Sequence, residues 1–355
     1  MVKVKKFILK NIFNGMPKAS DVEMVEEELP SIKDEEFLAE AIYLSIDPFT
    51  REFNQTVVGD VLIGTQIAKI VESKSNDYPV GKYVVAHFGW RTHTIAKEIP
   101  PPEGILPDYG ELPLSLALGI LGIPGNTAYF GFLEVCQPRE GETVVVSSAG
   151  GTIGSTVGQI AKICGCKVIG ILGSDEKGRC ITEELGFDHY INYKKGNVKE
   201  ELAKLAPNGV DCYFDNVGGE ISDAVIKVMN DFGRIAICGF MSQFSNEPKV
   251  TNNSCKGNGS TTVGGLTWEY KEDMFTTAKV PSLQPYFVFK QLRMEGFIVY
   301  KWMARWKEGV EQNLKWVNEG KLKFKETITE GFENAFQEFL NMLEGKSVGK
   351  ALVKI

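Results

Sequence analysis

The residues with the clearest chemical meaning are Ala149-Gly150-Gly151-Thr152-Ile153-Gly154. They follow the apolar run Val144-Val145-Val146. They open a stretch in which Ile153, Val157, Ile160, Ala161 and Cys164 fall at i, i+4, i+7, i+8 and i+11, one face of a helix. A glycine turn between strand and helix leaves backbone N–H groups free. With the helix dipole, those groups stabilise a pyrophosphate. Gly151 would let the backbone approach the phosphates, and Gly154 would let the helix pack on the strand. The first position of this fingerprint is Ala149 rather than Gly. A tight turn with no ligand is the competing reading.

The next strand, Lys167 to Leu172, decides which dinucleotide fits. NAD-binding chains place an acid at this strand end to hold the ribose hydroxyls. Here the end reads Leu172-Gly173-Ser174, and Lys177 follows within one helical turn. A Lys and a Ser neutralise and hydrogen-bond a 2′-phosphate, which favours NADP(H). Asp175 is the counter-candidate, with a helix-dipole role as its simpler reading.

Metal chemistry has little to stand on. There are three histidines, His87, His93 and His189, and seven cysteines, none spaced C-x-x-C. No metal residue is assigned, and the histidines read as ordinary surface or packed residues.

The elements that position the loop follow from periodicity. Residues 1–122 hold short strands broken by Gly59, Gly64, Pro79, Gly81 and Pro100 to Pro102, a β-rich barrel or sandwich. From Gly141 onward strands alternate with helices, including Val210 to Asp215 and Gly233 to Cys238. That rhythm predicts a doubly wound parallel sheet in an α/β fold. Residues 245–284, rich in Asn, Ser and Gly, read as a polar mobile insertion. A length of 355 residues fits about two domains, and 43% hydrophobic with 24% charged residues excludes disorder, collagen and coiled coil. The net charge of −7 argues against general nucleic-acid or membrane-surface binding. Leu112 to Val135 is apolar, but Pro113, Pro124 and its glycines make it a poor spanning helix. The basic start lacks a secretory pattern, so a cytoplasmic location with reduced thiols is expected.

Several motifs in order resemble one family. They are DPFTRE, LPLSLALGILGIPGNTAYFGFLEV, SSAGGTIGSTVGQIAKICGCKVIGILGSDEK, FDNVGGE, FGRIAICG, QLRMEGFIVYKW and EGFENAFQEFLNMLEGKSVGK. The chain is similar to the prostaglandin reductases, also called leukotriene hydroxydehydrogenases or alkenal/alkenone double-bond reductases. These belong to the zinc-independent medium-chain dehydrogenases/reductases. The resemblance implies a discontinuous GroES-like catalytic domain at 1–122 and 325–355, with a Rossmann domain at 123–324 inserted into it. It also implies homodimers.

By position, the resemblance assigns cofactor contacts to Gly151, Thr152, Ile153 and Gly154 at the pyrophosphate. Ser174, Lys177 and Tyr193 fall toward the 2′-phosphate. Asn216 and the segment Cys238, Gly239, Phe240, Met241, Ser242, Gln243, Phe244 follow, then Phe297, Ile298 and Val299 toward the nicotinamide, and Ser347. Phe244 stands where the family usually has Tyr, and Ser347 where it usually has Asn. Asn216, Tyr193 and Cys238 also have simpler readings, as a turn former, a strand residue and a small core residue.

A zinc-dependent alcohol dehydrogenase would carry a Cys and a His–Glu pair where this chain has Ile46-Asp47-Pro48-Phe49 and Ile63-Gly64-Thr65. Without zinc, hydride addition to an activated C=C bond is easier than ketone chemistry, because the attached carbonyl takes up the charge. The expected reaction is NADPH-dependent reduction of an α,β-unsaturated ketone or aldehyde derived from lipid. The ribose 2′-hydroxyl is the implied oxyanion donor. Phe49, Phe244 and Phe287 are candidate pocket walls, with core packing as the alternative. Tyr43 is a candidate proton donor, with packing as a strand aromatic as its alternative. A quinone reductase and a non-catalytic NADPH-binding protein stay open beside this reading.

Overall fold

The computed structural model describes residues 2–13, 15–53, 57–242, 258–263, 266–271 and 283–355. The chain divides into two compact units, Met1–Gly122 with Lys325–Ile355, and Ile123–Phe324.

The discontinuous unit is β-rich. Its main sheet runs Glu326–Glu330, Lys350–Lys354, Phe37–Ser45, Gln66–Ser73, Tyr83–Ala86 and Gly104–Ile105, and His93–Ala96 also pairs with Phe37–Ser45. Val2–Leu9 and Val22–Leu29 form a separate hairpin. Phe7, Leu44, Leu62, Trp90, Phe339 and Val353 share one apolar core. Gly64 is required there, because a Cβ would lie 2.6 Å from the Trp90 ring. The last strand is clamped to the chain before Phe49. Lys350, 3% exposed, donates from Nζ to the Ile46 carbonyl at 2.9 Å and to Asp47 Oδ1 at 2.7 Å. Ser45 Oγ donates to the other Asp47 oxygen.

The second unit carries a six-stranded parallel sheet. Its order is His189–Asn192, Lys167–Leu172, Thr143–Ser147, Val210–Asp215, Met229–Ile237, Arg293–Gly296. In chain order that is third, second, first, fourth, fifth, sixth. The direction reverses between Thr143–Ser147 and Val210–Asp215, and ligands of such sheets bind outside the strand ends at that point. The middles of the central strands are apolar, as burial on both faces requires. Val144, Val145, Val146, Val168, Ile169 and Phe214 have no exposure. This is the expected doubly wound sheet, beside a separate β-rich unit.

Two findings refine the reading of the sequence. Within residues 245–284, read as a polar mobile insertion, Asn258–Val263 and Leu266–Lys271 pair as an antiparallel hairpin. Residues 245–257, 264–265 and 272–282 lie outside the described residues. The second is at the far end of that stretch, where Gln284 already belongs to the helix Gln284–Lys290, which leads into the edge strand Arg293–Gly296. Among the described residues no helix is long and apolar enough to cross a membrane.

One buried carboxylate organises the strand ends at the reversal. Asp215 Oδ1 accepts from Ser147 Oγ at 3.2 Å and from the Tyr213 hydroxyl and the Val217 and Gly218 amides at 2.9 Å. Asp215→Ala would orphan these donors, at about 1–3 kcal/mol for a buried group. Urea unfolding should show a loss of roughly 2–4 kcal/mol. A loss under about 1 kcal/mol would mean that water replaces the carboxylate.

Candidate nucleotide-binding and catalytic site

The glycine loop follows Thr143–Ser147 and ends in the helix Thr152–Ile163. Ser148 turns the chain at φ 52, outside the strand region. Gly151 is the N-cap, and no side chain caps the helix. The first N–H groups are therefore available to an anion. Gly154 is held closely, since a Cβ there would sit 2.4 Å from the Ser148 carbonyl oxygen. At Gly151 a Cβ would make only ordinary contact, 3.5 Å from the same oxygen. The loop's shape therefore demands Gly154, whereas Gly151 keeps an approach open.

Basic side chains converge beside the loop. Lys177 lies over Gly150, where a Cβ would come within 2.9 Å of Lys177 Cδ. Gly173 packs against Tyr193 and Lys194, with a Cβ 3.0 Å from both Tyr193 Oη and Lys194 Cε. Burial and the neighbouring Lys194 hold the Lys177 ammonium below its usual range. Among the described residues neither lysine forms an ion pair. Two mutually repelling cations, offset at Lys177 only by the weaker effect of the adjacent Glu176, fit a 2′-phosphate. Ser174 caps the helix Asp175–Arg179, its Oγ accepting from the Lys177 amide at 3.5 Å.

Asp175 is engaged elsewhere. Its carboxylate accepts from Lys195 Nζ at 2.5 Å and from Asn192 Nδ2 at 2.7 Å. Those bonds hold it below the usual carboxylate range. The acid that could have held a ribose hydroxyl is thereby neutralised. Lys194 was missed in the sequence reading; its signal was the Tyr193-Lys194-Lys195 run just beyond a strand tip.

Several of the remaining assigned residues of this unit fall along the carboxyl edge of the sheet. Asn216 donates Nδ2 to the Ser147 carbonyl at 2.8 Å and its amide to Ser147 Oγ at 2.9 Å. Its side chain thus ties two strand tips together. Cys238 and Gly239 donate their amides to the Asp215 carbonyl, at 2.8 and 3.1 Å. Ser242 donates Oγ to the Val217 carbonyl at 2.7 Å. Phe240 and Met241 are half-buried in the same segment. Gln243 and Phe244 lie outside the described residues. The Phe297 ring packs on Gly131 and edge-on to Trp302, at 5.4 Å between centroids. Ile298 is partly exposed and Val299 buried. Phe287 packs against the apolar core that contains Tyr213 and Ile235.

The β-rich unit holds the others. Ser347 donates Oγ to the buried carboxylate of Glu338 at 2.7 Å. Tyr43 is half-buried in the strand Phe37–Ser45, opposite Lys354 and Ile67. Phe49 meets the His87 ring edge-on at 6.4 Å. The structure thus brings Gly151, Thr152, Ile153, Gly154, Ser174, Lys177 and Tyr193 together, with Asn216 and Cys238 to Ser242 along the same sheet edge. Among the described residues no three His, Cys, Asp or Glu side chains gather as a metal site.

Residues 5–100 match a family described as the N-terminal domain of oxidoreductase, and residues 152–279 one described as zinc-binding dehydrogenase. Together they define a two-part dehydrogenase/reductase. The chain is 43% identical to prostaglandin reductase 1 of Bos taurus, covering all of both chains. It is 34% identical to the NADPH-dependent curcumin reductase of Escherichia coli, over 99% of this chain and 96% of that one. The crystal structure of CurA in complex with NADPH from Vibrio vulnificus superposes with a TM-score of 0.84, at 32% identity over 99% of this chain and 98% of that one. The chain belongs to the prostaglandin reductase family of zinc-independent medium-chain dehydrogenases/reductases.

Lys177→Glu should weaken NADPH binding by roughly 10–100-fold, the size of one or two lost charge-assisted bonds. NADH binding should barely change. Fluorescence titration of both cofactors measures this, and an equal loss for each would refute a 2′-phosphate contact.

Proposed function

We propose that this chain is an NADPH-dependent reductase of the C=C bond of α,β-unsaturated ketones and aldehydes. The observation that carries the reading is the pair Lys177 and Lys194. They stand unpartnered beside an uncapped helix N-terminus, in a chain similar over its full length to prostaglandin and curcumin reductases. When bound, NADPH supplies the hydride, which goes to the β-carbon of the substrate.

The chain's own residues bind and orient. The loop Gly151 to Gly154 holds the pyrophosphate on helix N–H groups. Lys177, Ser174, Tyr193 and Lys194 take the 2′-phosphate. Asn216, the segment Cys238 to Phe244, and Phe297 to Val299 carry the nicotinamide end. Ser347 is assigned to the cofactor through its backbone, its hydroxyl being held by Glu338. Phe49, Phe244 and Phe287 are apolar substrate contacts and suit a lipid-derived enone. Phe244 brings no hydroxyl to the carbonyl, so more of that role falls to the cofactor ribose or to water. The acceleration comes from positioning and water exclusion.

We further propose a homodimer in the cytoplasm. Among the described residues Arg293–Gly296 pairs on one side only, with Met229–Ile237, and is the last strand of the sheet. Beside it Phe289 is 82% exposed and Val288 70% exposed, with Met294 and Ile298 partly so. An open strand edge with apolar side chains beside it matches a self-pairing interface.

Purified protein should consume NADPH with 2-nonenal or a 15-oxo-prostaglandin and return the saturated carbonyl. Turnover of quinones alone would replace this reading with a quinone reductase. Tight NADPH binding without any oxidation would point to the binding-protein reading. Phe289→Glu should convert the dimer to a monomer in light scattering; a wild-type monomer would overturn the dimer.

A further inference from the structure

His87, read from sequence as an ordinary histidine, stands in a line of three polar groups. The strand Tyr83–Ala86 pairs on one side with Gln66–Ser73, with Ala86 opposite Gln66. On the other side it pairs with Gly104–Ile105, with Val85 opposite Gly104. One residue further along, that register places Thr65 opposite His87 and Glu103 opposite Ala86, so Glu103 reaches the His87 ring diagonally. His87 Nδ1 lies 2.9 Å from Thr65 Oγ1, and Nε2 lies 3.1 Å from Glu103 Oε1. The Glu103 side chain is only 6% exposed, and Oε1 is sealed from water without a well-aligned donor. The His87 side chain is 39% exposed and touches Phe49. Thr50, next to Phe49, donates Oγ1 to the Ile63 carbonyl at 3.2 Å, so the Phe49 turn is tied to the segment carrying Thr65.

We propose that Thr65, His87 and Glu103 form a proton relay that supplies the proton of enone reduction, with the Thr65 hydroxyl as terminal donor to the substrate oxygen beside Phe49. This rests on the enone-reductase reading and on Phe49 as a substrate contact. Hydride addition makes the new C–H bond at the β-carbon and leaves an electron pair on the carbonyl oxygen. That oxygen takes the Thr65 proton. Thr65 takes the proton of His87 Nδ1, and His87 Nε2 takes the proton of Glu103. Glu103 is left as a carboxylate until a solvent proton enters at the exposed His87 ring and resets the line. The resulting enol rearranges to the saturated carbonyl. His87 ends neutral, with its proton moved from one ring nitrogen to the other.

The electrostatics match the direction of transfer. Burial raises the Glu103 carboxyl to about 8, opposed by a hydrogen bond from the His87 backbone amide. Burial also holds the His87 imidazole below its usual range, opposed by Asp47, which is itself paired with Lys350. Below about pH 8, neutral Glu103 donates to Nε2, Nδ1–H donates to Thr65, and the Thr65 O–H faces outward. Above it, the carboxylate accepts a hydrogen bond from Nε2–H, Nδ1 becomes an acceptor, and the Thr65 O–H turns inward. The relay therefore works in its acid form and reverses as pH rises.

The test joins two measurements on the full chain. In ¹⁵N NMR the His87 signals, assigned with His87→Leu, should exchange tautomer as pH passes about 8, and should not do so in Glu103→Gln. In wild type kcat should fall through the same window. Glu103→Gln should flatten that profile, and Thr65→Val should lower kcat by about tenfold or more. Thr65→Ser should restore most of it. A His87 tautomer that ignores pH, or a kcat profile unchanged by Glu103→Gln, overturns the relay. An intact tautomer exchange in a protein that turns over no enone would instead sink the enone-reductase reading.

Discussion

At the carboxyl edge of the parallel sheet, the buried carboxylate of Asp215 holds two strand tips and the loops beyond them. Its Oδ1 receives four donors from Ser147, Tyr213, Val217 and Gly218. Its backbone carbonyl receives the amides of Cys238 and Gly239. Burying a carboxyl group costs far less when its lone pairs are met by donors in this way. Burial together with Asp215 pushes the neighbouring Tyr213 hydroxyl well above its usual range. Asn216 closes the arrangement by bonding back to Ser147. The shape of the sheet edge, and so of any nucleotide site on it, depends on this cluster.

Charge pairing beside the glycine loop then sets which nucleotide the edge prefers. Lys195 and Asn192 occupy Asp175, while Lys177 and Lys194 are left facing each other. The same strand tip therefore withdraws its acid and leaves its bases unneutralised. A doubly charged phosphate relieves the repulsion of the two ammonium groups, whereas a bare ribose does not.

The sequence made the sheet legible because its first two strands are short apolar runs and helix-length segments separate the strands that follow. Lys167–Leu172 and Val210–Asp215 match the expected strands residue for residue. The glycine loop was legible because strand, loop and helix are contiguous. What escaped was assembled across the chain. Asn216 had a visible turn motif, yet its partner Ser147 is 69 residues away. Thr65, His87 and Glu103 share no spacing that a periodicity search could find; only the register of three strands aligns them. Lys194 lay in plain sight, but its distance from Lys177 depends on two separate strand tips.

The clamp of Lys350 on Asp47 joins residues 303 apart in the chain. The whole stretch that forms the nucleotide-binding unit lies between them. During synthesis that unit is finished while the β-rich unit still lacks the strands Glu326–Glu330 and Lys350–Lys354. Domains fold as units in the order they emerge, and contacts this distant form late. The turn carrying Phe49 therefore takes its final shape only after the nucleotide-binding unit has folded.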